Sequence, residues 1–350
     1  MAFDLTTHYG GLKLRSPLVV GACPLTAQEQ TRLAIESAGA GAVVLPSLFE
    51  EQVILWNERN GYTLSQRDQQ LLERSRRMGV EQSHAGADTY LAMVKQATAR
   101  SSIPIIASLN GESVGNWPAF AKELQQAGAA AIELNVHHAP PRDFSGPRDA
   151  EDRVVELVAK IDSVIEIPLF LKLGRDYTSL SHLALRLLSG AQGLVLYGRT
   201  PDIDICLDSL QLKTAWGLTQ SGSITEALGS IMRVHGFCPA MPLAATGGIG
   251  SPGDVIKVLL AGADVAMVTS AIYREGPDVI RTFIDGLIVF MQRHRMHSLR
   301  ELQTSRPLEF SCEHERHDYV KALSTRLQAS DVTSNENALH GDRWGHPDTP

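Results

Sequence analysis

Short apolar runs recur along the chain and alternate with longer amphipathic segments. Runs that begin at a proline alternate with runs that follow a turn of small residues. In chain order the eight runs occupy 16–22, 38–47, 103–109, 127–136, 167–173, 189–198, 241–248 and 261–270. Each run is nearly continuous in Val, Ile, Leu and Ala, as is typical of parallel strands that are buried on both faces. The pattern therefore predicts eight parallel strands.

The segments between these runs predict helices, because their apolar residues recur at three- and four-residue steps. The predicted helices cover 27–39, 89–100, 117–128, 150–164, 179–190, 224–236, 251–262 and 276–294. Ser251–Pro252 has the form of a helix start, a capping residue followed by proline. Eight strands alternating with eight helices indicate an α/β fold of the (β/α)8 TIM-barrel type, with a doubly wound open sheet as the alternative.

Three predicted connections are too long to be simple turns, namely 48–83, 137–149 and 198–219. They follow the second, fourth and sixth strands at the carboxyl ends, where barrel enzymes build their active sites. We predict a barrel domain over 1–310. The remainder, 311–350, contains one short helical pattern and a polar tail that we expect to be disordered or to pack on a partner.

Charge and cysteine content narrow the classes of function. The net charge is −7, from 32 basic and 39 acidic side chains, which argues against a nucleic-acid or anionic-membrane binder. The four cysteines form no C-x-x-C pair, so neither a zinc site nor a disulfide framework is indicated. The apolar segment near 279–294 is interrupted by Arg281 and Asp285 and is too short to span a bilayer. We expect a cytoplasmic protein.

The ends of the last two predicted strands carry residues suited to an anion. Gly247–Gly248 follows the seventh strand and Thr269–Ser270 the eighth, while Ser221–Gly222 begins another helix on the same side. Glycines expose backbone N–H groups at helix starts and hydroxyls add donors, which together favour a phosphate site. The alternative is that these are tight turns without a ligand.

Three polar residues end otherwise apolar strands. Lys172 lies near the end of the fifth strand, where a buried ammonium needs an anionic partner. It could pack its stem and extend its head into water, form a Schiff base, or face an anionic cofactor. Asn135 ends the fourth strand and Asn110 the third. Either asparagine could instead satisfy loop backbone or occupy a turn.

The ordered motifs "SLNGES", "IELNV", "LFLKLG", "TQSG", "AATGGI" and "VAMVTSAIYREG" resemble those of dihydroorotate dehydrogenases, FMN-dependent barrels of pyrimidine synthesis. The resemblance covers most of residues 4–300. It implies FMN as cofactor and a set of residues that contact it. The implied set comprises Ala22, Cys23 and Ser47 lining the flavin, Asn110 and Asn135 hydrogen-bonding the ring or substrate, Lys172 at the pyrimidine edge, and Ser221, Gly222, Gly247, Gly248, Thr269 and Ser270 around the phosphate.

The substrate side departs from the family pattern. Pro46 stands where the family has a lysine, and Gly198 stands where it has an asparagine after the sixth strand. The asparagine-rich loop expected after the second strand is also missing. The family sequence Asn-x-Ser-Cys-Pro-Asn is replaced here by "NVHHAP", which places His138 at the position of the cysteine base and His137 at the preceding serine. A dihydroorotate-dehydrogenase-like subgroup shows this pattern.

We therefore expect an FMN-dependent oxidoreductase acting on a CH–CH bond of dihydroorotate or a related small molecule. His138 would be the general base, Asn135 and Lys172 would assist, and no metal would be bound. Alternatives are an aldolase that uses Lys172 as Schiff base, a metal-dependent hydrolase that uses His137 and His138, and a flavin-binding protein without turnover. The two histidines could also merely fill a loop. The substrate and electron acceptor remain unnamed, and a homodimer is expected from the resemblance.

Overall fold

The computed structural model describes residues 3–78, 86–111, 117–136, 149–306 and 312–324. The chain divides into two compact units, Met1–Arg306 and Pro307–Pro350. The described strands are β1 (Thr7–Tyr9), β2 (Leu12–Leu14), β3 (Leu18–Val20), β4 (Ala42–Phe49), β5 (Ile105–Gly111), β6 (Ala131–Val136), β7 (Leu169–Leu173), β8 (Gly193–Leu196), β9 (Asp202–Cys206), β10 (Gln211–Ala215), β11 (Leu243–Thr246) and β12 (Val265–Val268).

Eight of these strands close into a parallel barrel. The order around the barrel is β3, β4, β5, β6, β7, β8, β11 and β12, and β12 pairs with β3 to complete the ring. They are the eight strands predicted from the apolar runs. The (β/α)8 prediction is therefore confirmed and the open-sheet alternative is wrong.

Helices connect the strands and form the outer layer. After a short 3₁₀ helix at Pro24–Ala27, the described helices are α1 (Glu29–Ala38), α2 (Glu50–Arg59), α3 (Gln66–Met78), α4 (Ala87–Arg100), α5 (Trp117–Gln126), α6 (Asp149–Asp162), α7 (Leu180–Leu187), α8 (Thr225–Phe237), α9 (Pro252–Ala261), α10 (Ser270–Glu275), α11 (Val279–Arg293), α12 (Leu299–Thr304) and α13 (Cys312–Ser324). All eight predicted helices are present. The connection after β4, expected to be a loop, contains α2 and α3.

The barrel interior is lined by apolar side chains and is closed at the amino ends of the strands. Tyr9, from the β1–β2 hairpin, stacks on Phe170 of β7 with ring centroids 4.2 Å apart. The side chains around them are fully or almost fully buried and apolar: Val19, Ala42, Val44, Ile106, Ala131, Val195, Ala244, Val265 and Met267. Polar side chains can therefore collect only at the opposite end, where the strands terminate.

The connection after β8 contains an antiparallel ribbon, β9–β10, whose one face is apolar. Ile205 lies opposite Leu212 and Ile203 opposite Thr214, and residues in such pairs share a face of the ribbon. Exposed fractions on this face are high, from 58% at Ile205 to 82% at Leu207 in the turn. An isolated two-stranded hairpin is marginally stable in water, so this exposed apolar face is a candidate interaction surface.

The described helices include none with both the length and the apolar character that a bilayer crossing demands.

Candidate active site

The carboxyl ends of four neighbouring strands bring the predicted polar residues side by side. Ser47 of β4 is in register with Ser108 of β5, and Asn110 of β5 with Asn135 of β6. Asn135 in turn is in register with Lys172 of β7. Closure of the barrel thus assembles on one rim residues that are far apart in the sequence.

A buried tyrosine fixes the serine pair on this rim. The Ser47 and Ser108 hydroxyls are 2.8 Å apart. The Tyr90 hydroxyl accepts the Ser108 backbone N–H at 2.8 Å and donates to the Ser108 carbonyl at 3.1 Å. Burial raises the pKa of Tyr90 well above its ordinary value, so the phenol stays protonated. Sequence reasoning missed both Ser108 and Tyr90, because neither lies at a recognisable strand end.

Pro46 coincides with an irregularity in strand pairing. The register between β4 and β5 shifts between Val44 and Ser47. Proline has no N–H to donate to the ladder, so it is tolerated at a bulge and disfavoured within regular pairing. Pro46 therefore interrupts the regular pairing just before Ser47 and supplies no positive charge.

The predicted buried cation, Lys172, has an anionic partner. Its Nζ donates to Oε1 of Glu133, on the neighbouring strand β6, at 3.2 Å. The Lys172 side chain is 13% exposed and that of Glu133 1%. Burial, followed by the Glu133 charge, raises the pKa of Tyr9 at the barrel floor. An ammonium held by a carboxylate is suited to electrostatic stabilisation and poorly suited to act as a free amine nucleophile.

Asn135 and Gly198 share one region at the ends of β6 and β8. A Cβ atom placed on Gly198 would lie 3.2 Å from Oδ1 of Asn135, tighter than most such contacts. The Gly198 N–H donates to the Leu173 carbonyl at 2.7 Å, which fixes the backbone there. The absence of a side chain at Gly198 therefore leaves room for the Asn135 amide.

Thr219 forms hydrogen bonds that link the loops following β8, β11 and β12. We call Thr219 and its partners Gly248 and Ser270 the Thr219 hub. The Thr219 Oγ1 accepts the Gly248 N–H at 3.0 Å and lies 2.9 Å from Oγ of Ser270. The Thr219 N–H donates to the same Ser270 oxygen at 3.1 Å, and the Gly222 N–H donates to the Gly248 carbonyl at 2.8 Å. The sequence predicted that these loops lie on the same side of the barrel, but no sequence feature singled out Thr219.

Two glycines beside the Thr219 hub border a space that no atom of the described chain fills. Gly222 and Gly247 have φ of +84° and +96°, and a Cβ on either would meet no atom of the described chain within 4 Å. By contrast, a Cβ on Gly248 would lie 2.1 Å from Oγ of Ser223. Backbone without side chains at Gly222 and Gly247, beside the hydroxyls of Thr219 and Ser270, borders a space suited to a phosphate group.

The end of β3 completes the rim. A Cβ on Gly21 would lie 2.7 Å from Oγ1 of Thr269, so glycine lets the ends of β3 and β12 approach each other. Ala22 follows and is half-buried, and Cys23 is buried. Burial raises the pKa of the Cys23 thiol, which therefore lines the site as a neutral group.

His137 and His138 lie outside the described residues. Among the residues that are described, no three His, Cys, Asp or Glu side chains come together as metal ligands.

Comparisons with known proteins identify the family to which this barrel belongs. The family model described as Dihydroorotate dehydrogenase matches residues 5–291. The catalytic subunit of dihydroorotate dehydrogenase B (NAD(+)) from Thermoplasma acidophilum is 26% identical over 310 residues, covering 85% of this chain and 97% of that protein. A putative dihydroorotate dehydrogenase A (fumarate) from Aeropyrum pernix is 30% identical over 215 residues, covering 60% of this chain and 70% of that protein. A dihydroorotate dehydrogenase (quinone) from Rhizobium rhizogenes is 32% identical over 147 residues, 40% of each chain.

Removing the cation should destabilise the barrel. Lys172→Met leaves the Glu133 carboxylate buried without a counter-charge, and we expect the free energy of unfolding to fall by about 3–5 kcal/mol. Urea denaturation of the cofactor-free protein measures this. The double variant Glu133→Gln/Lys172→Met should recover most of the loss. As a control, Arg186→Met disrupts the outer-layer ion pairs with Glu151, whose N–O distance is 3.3 Å, and with Asp152, and should cost about 1 kcal/mol. Equal losses in both single variants would contradict the assignment.

Proposed function

The chain belongs to the dihydroorotate dehydrogenase family, oxidoreductases that act on CH–CH groups, and we propose that it uses FMN to oxidise a small cyclic substrate. The observation that supports this most directly is the glycine and hydroxyl cradle around Thr219, together with the Lys172–Glu133 pair on the same rim. A phosphate in the cradle and an electron-rich ring near a cation match the chemistry of a flavin mononucleotide.

The donor set of the site fits FMN. Gly222 and Gly247 leave open space beside the Thr219 hub, and Ser221, Thr269 and Ser270 bring further hydroxyls for the phosphate. When bound, FMN supplies a two-electron acceptor. Lys172 would hold positive charge at the pyrimidine edge, Asn110 and Asn135 would orient the ring or the substrate, and Ala22, Cys23 and Ser47 would line it. The apolar barrel interior beneath excludes water from that side.

The substrate is proposed to differ from dihydroorotate. Pro46 provides no charge and Gly198 no amide, so two groups that the family uses to hold its substrate are absent. A carboxylate that loses its charged partners loses several kcal/mol of recognition. Arg199 could substitute from the connection after β8, where it donates to the Gly217 carbonyl and lies over the Trp216 ring. Arg59, at the end of α2, and Arg67, in α3, are two further arginines proposed for this role.

The electron acceptor stays unassigned, because the names of the compared relatives include NAD(+), fumarate and quinone. A cytoplasmic location stays a prediction.

The cofactor proposal predicts a yellow protein that releases FMN, identified by mass spectrometry. Thr219→Val keeps the side-chain shape but removes two hydrogen bonds of the cradle, each worth about 1 kcal/mol, so FMN should bind at least tenfold more weakly. Fluorescence titration of the cofactor-free protein measures the affinity. Thr214→Val, on the exposed ribbon, is the matched control and should bind FMN normally. Release of FAD, or no flavin binding after reconstitution, would contradict the proposal.

The catalytic proposal assigns the general base to His138, which aligns with the family's cysteine when counted from Asn135. His137 aligns with the family's preceding serine and should not share this role. We expect His138→Ala to slow reduction of the bound flavin by at least ~100-fold and to leave FMN bound, while His137→Ala changes the rate little. Anaerobic stopped-flow absorbance measures both rates.

Dihydroorotate is the first substrate to add in that experiment, followed by dihydropyrimidines without a carboxylate. Slow or absent bleaching with dihydroorotate and faster bleaching with an uncharged ring would support the altered substrate side. Dihydroorotate turnover at an ordinary enzymatic rate would show instead that another cation, such as Arg199, holds the carboxylate. A protein that binds FMN but is bleached by none of these compounds would favour the flavin-binding role without turnover.

We propose that a second copy of the chain covers the apolar face of the β9–β10 ribbon. Leu207, Leu210 and Leu212 are 82%, 80% and 69% exposed, and such a patch on a monomer marks an interaction surface. The paired residues of this face are uncharged, Ile203 opposite Thr214 and Ile205 opposite Leu212, so two identical ribbons can meet here without bringing like charges together.

The dimer proposal predicts that Leu212→Asp weakens self-association at least tenfold, because it places a charge in the apolar contact. Sedimentation velocity over a range of concentrations measures this. Lys213→Asp, on the opposite face of the same strand, should leave the association nearly unchanged. A monomeric wild-type protein at micromolar concentration would contradict the proposal.

A further inference from the structure

Glu133 is a buried charge that stability alone does not explain. Its side chain is 1% exposed, and Oε1 receives the hydrogen bond from Lys172. Oε2 has no hydrogen-bond partner among the described residues. Replacing a buried ion pair by apolar side chains of similar volume is often neutral or stabilising. The pair therefore calls for a reason beyond holding the barrel together.

The Lys172 and Glu133 charges lie at different depths along the barrel axis. Lys172 is in register with Asn135, two positions nearer the carboxyl end of β6 than Glu133. The 13% exposure of Lys172 against 1% for Glu133 agrees with this order. The ammonium therefore lies toward the site, and the carboxylate lies behind it in the interior.

The surroundings of Glu133 allow its charge to act over several ångströms. Glu133 is in register with Phe170, and it follows Ala131 on the same face of β6; both neighbours belong to the apolar interior. In such surroundings the effective dielectric constant is far below that of water, and dissolved salt screens little. A group at the rim therefore experiences Lys172 and Glu133 as a pair and not as a lone cation.

We propose that Glu133 is a positioning residue that holds the Lys172 ammonium in place and sets the reduction potential of the bound flavin. The inference rests on the proposed FMN site. Reduced flavin carries more negative charge than oxidised flavin, so Lys172 favours the reduced form. The carboxylate 3.2 Å from Nζ offsets part of that preference. Glu133 thereby keeps the potential lower than Lys172 alone would make it.

A redox titration of four reconstituted proteins tests this. The proteins are wild type, Glu133→Gln, Lys172→Met and the double variant, each loaded with FMN and titrated with indicator dyes at pH 7. Glutamine retains an oxygen for Nζ but removes the charge. We expect Glu133→Gln to increase the affinity for reduced relative to oxidised FMN at least tenfold, a rise of about 30 mV for a two-electron couple.

The remaining variants fix the order of potentials. Lys172→Met should have the lowest potential, because a lone carboxylate then faces the site. The double variant should lie between it and wild type. The control is Glu151→Gln, which removes one charge from the pair with Arg186 on the outer helices, where the N–O distance is 3.3 Å. Its potential should match that of wild type.

An unchanged or lower potential in Glu133→Gln would overturn the proposal. If that variant does not fold, the comparison of Lys172→Met with the double variant decides: a tenfold difference in the affinity ratio supports the role, and equal potentials refute it. A wild-type protein that binds no FMN would refute the proposed function itself. Binding of FMN with a shift only in the Lys172 variant would refute the role of Glu133 alone.

Discussion

Closure of the barrel by the pairing of β12 with β3 is the constraint on which the rest of the structure depends. In a closed parallel barrel all strands end on the same rim, so eight loops must share one small region. The rim then brings Thr269 beside Gly21 and Lys172 beside Glu133. An open sheet of the same strands would leave the end of β3 far from that of β12.

The interior makes this rim chemically distinct. The core beneath it is apolar and is closed by Tyr9 on Phe170, so charges near the rim are little screened by water. A cation there acts strongly on any electron-rich ring above it, which suits redox chemistry. The same environment requires a partner for Lys172, and β6 supplies it as Glu133.

The two halves of the site differ in how closely they follow the family. The hub at Thr219 and the glycines at 222, 247 and 248 lie together, at the positions of the cofactor motifs. On the substrate side Pro46 marks a bulge and Gly198 leaves space that Asn135 occupies. This contrast is the reason for proposing a retained FMN site and a substrate other than dihydroorotate.

The sequence by itself determined the number, order and kind of the barrel elements, because apolar periodicity and helix caps such as Ser251 are local properties. It also indicated which strand ends carry polar residues. It did not identify Glu133 as the partner of Lys172, 39 positions away, or Thr219 as the partner of Ser270, 51 positions away. The ribbon at β9–β10 was likewise expected only as a long connection. Such contacts depend on the register between strands and on loop packing, which only the tertiary structure decides, because no local pattern records which distant residue stands opposite.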